Sequence, residues 1–282
     1  MNRWTVGAVT ITRVVEMEIP TRGTFLFADA LPERVQQHRW LQPHFADAEG
    51  KLRASIHAFV IEANGRRIVV DTCVGNDKAR ANPGWNQLQT RFLDDLAAAG
   101  YPADCIDTVL CTHLHVDHVG WNTHLVEGHW VPTFTRARYL FARTEWEHWS
   151  TEEDPMQRDV IADSVRPIVD VGLCELVETN HRVTDTVWLE PTPGHTPGHV
   201  SVRIRSNGVD AVITGDLMHH PVQCAEPDWA SHFDSDPTIA RATRRAFLAR
   251  YADTPILVLG THFATPTGGR IVSDGAAWRF VV

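Results

Sequence analysis

The sequence predicts an α/β fold made of two related halves, with a ligand site along one edge of the sheets. Three observations carry this reading. Strand-like and helix-like segments alternate along all 282 residues without a linker or a low-complexity stretch. Each half holds a helical segment followed by a short apolar strand. Each of those strands runs straight into a histidine, His113 in the first half and His262 in the second. Open α/β sheets bind ligands at the carboxyl ends of their strands. A single domain over residues 1–282 is expected, with residues 20–53, weak in either signal, as an N-terminal arm or lid.

The elements follow in order. Residues 4–18 and 54–63 read as strands, and Asn64-Gly65 lies between two β-rich runs, where both residues tolerate positive φ and close a hairpin. A helix is expected over 85–99, with Leu88, Phe92, Leu96 and Ala99 on one face and Gly100 as its stop. The strand Asp107–Thr112 delivers His113. In the second half, Thr144 and Glu147 have capping-box spacing and open a helix after the strand RYLFA. Residues 155–170 read as helix, and 174–178, 185–190, 199–205 and 209–215 as strands, with Asn207-Gly208 turning between the last two. Asp236-Pro237 caps a helix to about 251. The strand Ile256–Leu259 then leads through Gly260-Thr261 into His262.

Composition removes several function classes. The chain is 43% hydrophobic and 22% charged, enough to bury a sizeable core. A net charge of -9 argues against a nucleic-acid partner, which requires a basic surface. No apolar run approaches the length of a membrane helix, and Arg3, Arg13, Glu16 and Glu18 interrupt any signal-peptide core. Five cysteines without a CxxC pair point to reduced thiols and a cytoplasmic location rather than a disulfide framework. No GxSxG, P-loop or GxGxxG is present, so neither a serine nucleophile nor a nucleotide cofactor is indicated. The outlying number is 16 histidines.

Their placement carries the chemistry. In His113-Leu114-His115-Val116-Asp117-His118, residues i and i+2 of an extended segment point the same way, so His113 and His115 can meet one ion. The turn at Asp117-His118 offers a carboxylate and an imidazole to a second ion nearby. Imidazole with carboxylate suits zinc and other first-row divalent ions such as Fe, Mn or Co. Three further strand ends each deliver one more donor. These are His195 in Pro193-Gly194-His195-Thr196-Pro197-Gly198-His199, Asp216 after the apolar run VDAVITG, and His262. Asp71, ending the strand RIVVD, is expected to accept a hydrogen bond from a ligand histidine.

HxHxDH, GHTPGH, Gly-Asp and a strand-terminal histidine together resemble the metallo-β-lactamase superfamily, over residues of about 54 to 265. The resemblance implies a four-layer αβ/βα sandwich with the metal site at one edge. It implies His113, His115 and His195 on one ion, Asp117, His118 and His262 on the other, and Asp216 bridging them. His199 is left as structural. Within the superfamily the chain is most similar to the branch holding acyl-homoserine-lactone lactonases and methyl parathion hydrolase. Those lactonases carry a tyrosine three residues after the bridging aspartate, where this chain has His219.

The function this implies is a dinuclear hydrolase using a metal-bridging hydroxide on an ester or lactone of a largely apolar small molecule. Asp117 and His219 are the candidate catalytic side chains. Phosphotriester hydrolysis is the alternative, then β-lactam cleavage; a mononuclear-iron dioxygenase would not need Asp117, His118 and His262. Phe25, Phe27, Trp40 and Phe45, with Trp121 and Asn122, are expected near the pocket. Trp85, Trp146, Trp149 and Trp229 are expected in the core or at the contact of a homodimer.

Overall fold

The structure is a computed structural model and describes residues 2–21, 23–151 and 154–282. Alternation along its strands decides the architecture. In the strand Leu52–Ala63, Ala58 and Val60 face one way, Phe59 and Ile61 the other, and all four are buried. The same split separates Val69 from Ile68 and Val70, Tyr139 from Leu140, and Val212 from Ala211 and Ile213. A strand buried on both faces requires a layer on each side.

Those layers are two sheets and their outer helices. One sheet runs Arg3–Val6, Val9–Thr21, Leu52–Ala63, Arg66–Val70, Thr108–Leu110, Arg138–Ala142 and Cys174–Val177. The other runs Val187–Pro191, Val200–Ser206, Val209–Ile213, Leu257–Leu259, Gly268–Asp274 and Ala277–Val281. Phe59, Ile68 and Leu110 from the first sheet share one inner core with Val200, Ile213 and Leu259 from the second. Phe92 and Leu96 of the helix Phe92–Ala98, with Trp149 and Ile168, cover the outside of the first sheet. Phe247, Leu248 and Tyr251 of the helix Pro237–Tyr251 cover the second. The result is the expected order of helix, sheet, sheet, helix. Each fully buried aliphatic side chain contributes about 1.5–3 kcal/mol and an exposed ion pair at most about 1, so the buried layers hold the frame.

Parallel pairing sets where the site lies. Arg66–Val70, Thr108–Leu110 and Arg138–Ala142 pair parallel, as do Val209–Ile213 and Leu257–Leu259. Their carboxyl ends point to one edge of the sandwich. Asp71, His113, Asp216 and His262 all follow these ends within a few residues.

Several elements differ from the sequence reading. Residues 4–18 form a hairpin rather than one strand, because the chain reverses at Gly7, with φ +60° and a backbone so close that a Cβ would sit 2.2 Å from the Ser206 carbonyl oxygen. The helix expected over 85–99 is only Phe92–Ala98. Upstream, Gln87 takes φ 50° and spends its N–H on the Lys78 carbonyl at 2.7 Å. The helix expected over 155–170 contains a π-turn, Ile161–Val165, between Pro155–Val160 and Arg166–Asp170. Pro167 has no N–H to give the Asp163 carbonyl; that oxygen instead accepts from Thr123 Oγ1 at 2.5 Å and Lys78 Nζ at 3.3 Å. The capping box does not form, since the helix is Arg143–Trp149 with Ala142 at its N-cap. Two hairpins, Thr123–Val126 with His129–Pro132 and the C-terminal pair of strands, were not anticipated.

The segment 20–53 sends apolar anchors into the core, although most of its described residues are exposed or half-buried. Phe27, Leu41 and Phe45 are buried in the cluster over the second sheet, and Trp40 packs against it. No described helix is long and apolar enough to cross a membrane. The five cysteines are all unpaired.

Candidate metal centre

Two trios of donors converge at the common edge. His113, His115 and His195 form one, and Asp117, His118 and His262 the other, with the donor atoms of each trio within 4.8 Å of one another. Asp216 lies between them. Its carboxylate is 3.1 Å from His262 Nε2, 3.3 Å from His118 Nε2, 3.4 Å from His195 Nε2 and 3.8 Å from His113 Nε2.

The contacts inside the trios are those of donors that converge on a shared point. His115 Nδ1 and His195 Nε2 stand 2.9 Å apart, and His118 Nε2 and His262 Nε2 3.3 Å apart, nitrogen facing nitrogen. His113 Nε2 and Asp216 Oδ1 are buried without a hydrogen-bond partner. Buried polar atoms are almost always paired. Imidazole and carboxylate donors in threes around a shared carboxylate fit two zinc-like ions, so the residues present suit the group.

Each histidine is aimed from behind. Asp71 turns at φ 58°, a backbone region costing a non-glycine residue about 1–3 kcal/mol. There its carboxylate accepts from Thr112 N at 2.7 Å, Thr112 Oγ1 at 2.9 Å and His118 Nδ1 at 3.0 Å. His113 Nδ1 donates to Thr112 Oγ1 at 3.1 Å, so Asp71 reaches one histidine of each trio. His262 Nδ1 donates to the Ser55 carbonyl at 3.0 Å, and Ser55 N returns a bond to the His262 carbonyl. His199 is not in either trio. Its Nδ1 donates to the Thr192 carbonyl and its Nε2 accepts from Asp216 N at 2.8 Å, which fixes the backbone of the central carboxylate.

Two of these supports escaped the sequence reading. Asp234 accepts from His195 Nδ1 at 3.0 Å, with the buried Arg244 guanidinium 3.6 Å from its other oxygen. Glu145 accepts from Leu114 N and Gly198 N, one in each histidine-bearing loop. Neither sits in a recognisable motif; burial of a charged residue is visible only once the chain is folded.

The electrostatics divide the site. Burial holds His113, His115 and His195 well below the usual imidazole range, leaving them neutral and ready to donate a lone pair. Burial also penalises charged His118, but Asp216, Asp71 and Asp117 outweigh it and push this group well above that range. His262 is raised to about 8, where Asp216 and Asp117 overcome burial. Burial raises Asp216, yet His262, His118 and His219 around it hold it well below the carboxylate range.

Above the donors opens a cleft of about 660 Å³. Asp117, His195, Asp216, His219 and His262 lie on its floor, and Phe25, Leu26, Trp85, Val116, Trp149 and Phe233 are among its walls. Of the aromatics expected there, Phe25 is present. Phe27, Trp40 and Phe45 belong to the core instead, although Phe27 meets the His219 ring edge-on at 6.2 Å. Trp121 and Asn122 are buried away from the cleft: Trp121 donates to Glu16 at 2.6 Å and Asn122 accepts from Thr72 at 3.0 Å. Trp85 and Trp149, expected in the core or at a homodimer contact, belong to the first core and also border the cleft, while Trp229 is buried in the second core and Trp146 packs on the first. Arg80 also lines the cleft, its guanidinium held in two bonds by Asp163 at 2.7 and 2.9 Å. His219 is buried, and neither of its ring nitrogens has a hydrogen-bond partner; Nε2 is 3.3 Å from Asp216.

Comparison with known proteins agrees with this fold. The N-acyl homoserine lactonase AiiA of Bacillus thuringiensis subsp. kurstaki is 28% identical over 125 residues, 44% of this chain and 43% of its own length. The match therefore spans less than half of that relative. The solved structure of AidC, a dizinc quorum-quenching lactonase, shares the fold with a TM-score of 0.82 at 19% identity, covering 99% of this chain and 96% of that one. The hydrolase AbOPH gives 0.81 at 25% identity with the same coverage. A sequence model of the metallo-β-lactamase superfamily matches residues 53–262, the span that holds both trios and Asp216. With that span matched and its donors gathered at one edge of a four-layer sandwich, the chain belongs to the metallo-β-lactamase superfamily.

Proposed function

We propose that this chain is a dinuclear metal-dependent hydrolase that opens an ester or lactone of a small, largely apolar substrate. The observation that carries the proposal is the placement of both donor trios and Asp216 at the floor of a cleft with mainly apolar walls. When bound, two divalent ions supply Lewis acidity and lower the pKa of water toward neutrality. His113, His115 and His195 would hold one, Asp117, His118 and His262 the other, and Asp216 both.

The remaining work falls to the chain. The apolar walls exclude water and orient the substrate, which strengthens every electrostatic contact at the floor. Asp117 is on the cleft floor as well as in its trio and is placed to accept a proton there. His219 reaches the cleft with both ring nitrogens unpartnered, and its N–H donates to Gln223 Oε1 at 2.8 Å, fixing its backbone. It is positioned to hold the substrate carbonyl or to give a proton to the departing oxygen. The lactonase relative supports a lactone within the ester class. A neutral phosphotriester is the second reading, favoured by His219 standing where lactonases of this family carry tyrosine.

The test is elemental analysis of the purified protein, followed by a hydrolysis panel of γ- and δ-lactones, aryl esters, a phosphotriester and a chromogenic β-lactam. Two zinc-group ions per chain with lactone or ester turnover is the expected result. Turnover of the phosphotriester alone selects the second reading. One iron per chain with no hydrolysis overturns both.

A further inference from the structure

The fully buried Glu145 is absent from the cleft lining, yet it joins the two loops that carry the first trio. We propose that Glu145 is a positioning residue that sets the first ion's site by holding those loops at a fixed separation. The proposal rests on the two-ion reading above.

Three contacts define its surroundings. Oε1 accepts from Gly198 N at 2.7 Å, in the loop of His195 and His199. Oε2 accepts from Leu114 N at 3.2 Å, between His113 and His115, and from Trp149 Nε1 at 2.7 Å. The Trp149 ring in turn lies 5.2 Å from that of His115, centroid to centroid. These three partners are donors, and the Thr196 hydroxyl beside the carboxylate donates to it as well. The loop rests directly on the helix: a Cβ on Gly198 would lie 2.7 Å from Glu145 N. On its other side, Leu114 is held by Gln157 Nε2, which donates to its carbonyl at 2.7 Å.

His118 and His262 of the second trio have further anchors of their own. His118 is held by Asp71 and His262 by the Ser55 carbonyl. Loss of the Glu145 clamp therefore falls on one ion and not the other. Glu145→Gln is the sharp perturbation, because an amide NH₂ at either oxygen position faces a backbone N–H, of Gly198 or of Leu114, and so releases one loop even where the Thr196 hydroxyl accepts from it. Partners behind metal ligands are typically worth 10–100-fold in affinity, and a loss in that range is expected for the first ion alone.

The experiment is zinc titration against a chromophoric chelator in two single-site backgrounds, with folding followed by circular dichroism. In Asp117→Asn, where the first site remains, adding Glu145→Gln should weaken zinc by about 10–100-fold. In His195→Ala, where the second remains, it should change nothing. Equal weakening in both backgrounds, or in neither, overturns the assignment. If Glu145→Gln does not fold, Glu145→Asp replaces it, since its shorter carboxylate cannot span both loops; a loss confined to the Asp117→Asn background supports the assignment and any other pattern overturns it. A wild-type chain that takes up fewer than two zinc ions overturns the two-ion reading itself, which separates that failure from a failure of the clamp.

Discussion

Asp234→Asn isolates how His195, a proposed metal ligand, is aimed. Asp234 Oδ1 accepts from His195 Nδ1 at 3.0 Å, and Oδ2 accepts from Ser231 N at 2.9 Å with Arg244 Nη2 3.6 Å away. The bond to Nδ1 keeps the imidazole proton there and turns the Nε2 lone pair toward the first trio. An asparagine can still accept one bond, but its neutral oxygen binds the ring proton less strongly. A loss of 10–100-fold in affinity for the first ion is expected, which is about 1.4–2.7 kcal/mol. A second effect is independent of metal. Arg244 is fully buried, and breaking a buried ion pair typically costs about 3–5 kcal/mol. Here Arg244 keeps bonds to the carbonyls of Leu217, Pro227 and Trp229, so the cost should fall at or below the lower end. Zinc titration against a chelator reads the first effect, and thermal unfolding of the metal-free protein reads the second. A variant that loses stability but binds both ions as the wild type does would mean that Asp234 serves only Arg244, and the argument about His195 would be wrong.

Asp216→Ala should abolish the binding of a second ion while the circular dichroism spectrum stays near wild type, because the sandwich is held by its apolar layers; an unchanged stoichiometry of two refutes the bridging role. His219→Ala should lower kcat by about 10²–10⁴-fold, the usual worth of a general acid, with metal content unchanged; loss of an ion in parallel would make His219 a ligand instead. The metal-free protein should also show a stability maximum near the ordinary imidazole pKa of about 6.5. His262 is raised to about 8, so its contribution of about 2 kcal/mol is complete below 6.5 and lost as pH rises through 8. His199 and His220 are lowered to about 4 by burial, so their contributions are complete above 6.5 and lost as pH falls toward 4. Denaturant unfolding across pH 4–9 checks both limbs, and a flat profile above 6.5 contradicts the coupling of His262 to Asp216.

The donors were legible because metal chemistry is written locally. HxHxDH packs four candidate ligands into six residues, and strand ends announce themselves by apolar runs that stop at Asp71, Asp216 and His262. The four layers were expected only from the family resemblance, and the strands buried on both faces agree with it, since each face needs cover. Element bounds were less legible. The π-turn depends on Pro167 releasing the Asp163 carbonyl to Thr123 and Lys78, partners about forty and eighty-five residues away. The cleft walls were misread for a related reason: Trp121 is next to the metal loop in sequence but is drawn to Glu16, while Trp85 and Trp149 arrive from distant segments.

What the sequence conceals most completely is the set of buried acids behind the histidines. Asp71 could be inferred because it ends a strand neighbouring the one that delivers His113. Asp234 sits in an irregular loop and Glu145 in the first turn of a helix, positions where an acid is ordinary and exposed. Only burial changes their meaning. Each carboxylate taken out of water is stable because it faces donors alone, and those donors belong to the loops or rings of the site. The arrangement also explains an asymmetry between the trios. The second trio has its own carboxylate, Asp117, beside the shared Asp216, whereas the first has three neutral imidazoles. A cation there relies more on geometry than on charge, and it is this trio whose loops and His195 are fixed by Glu145 and Asp234. The first site should therefore be the more sensitive of the two to substitutions that leave every ligand in place.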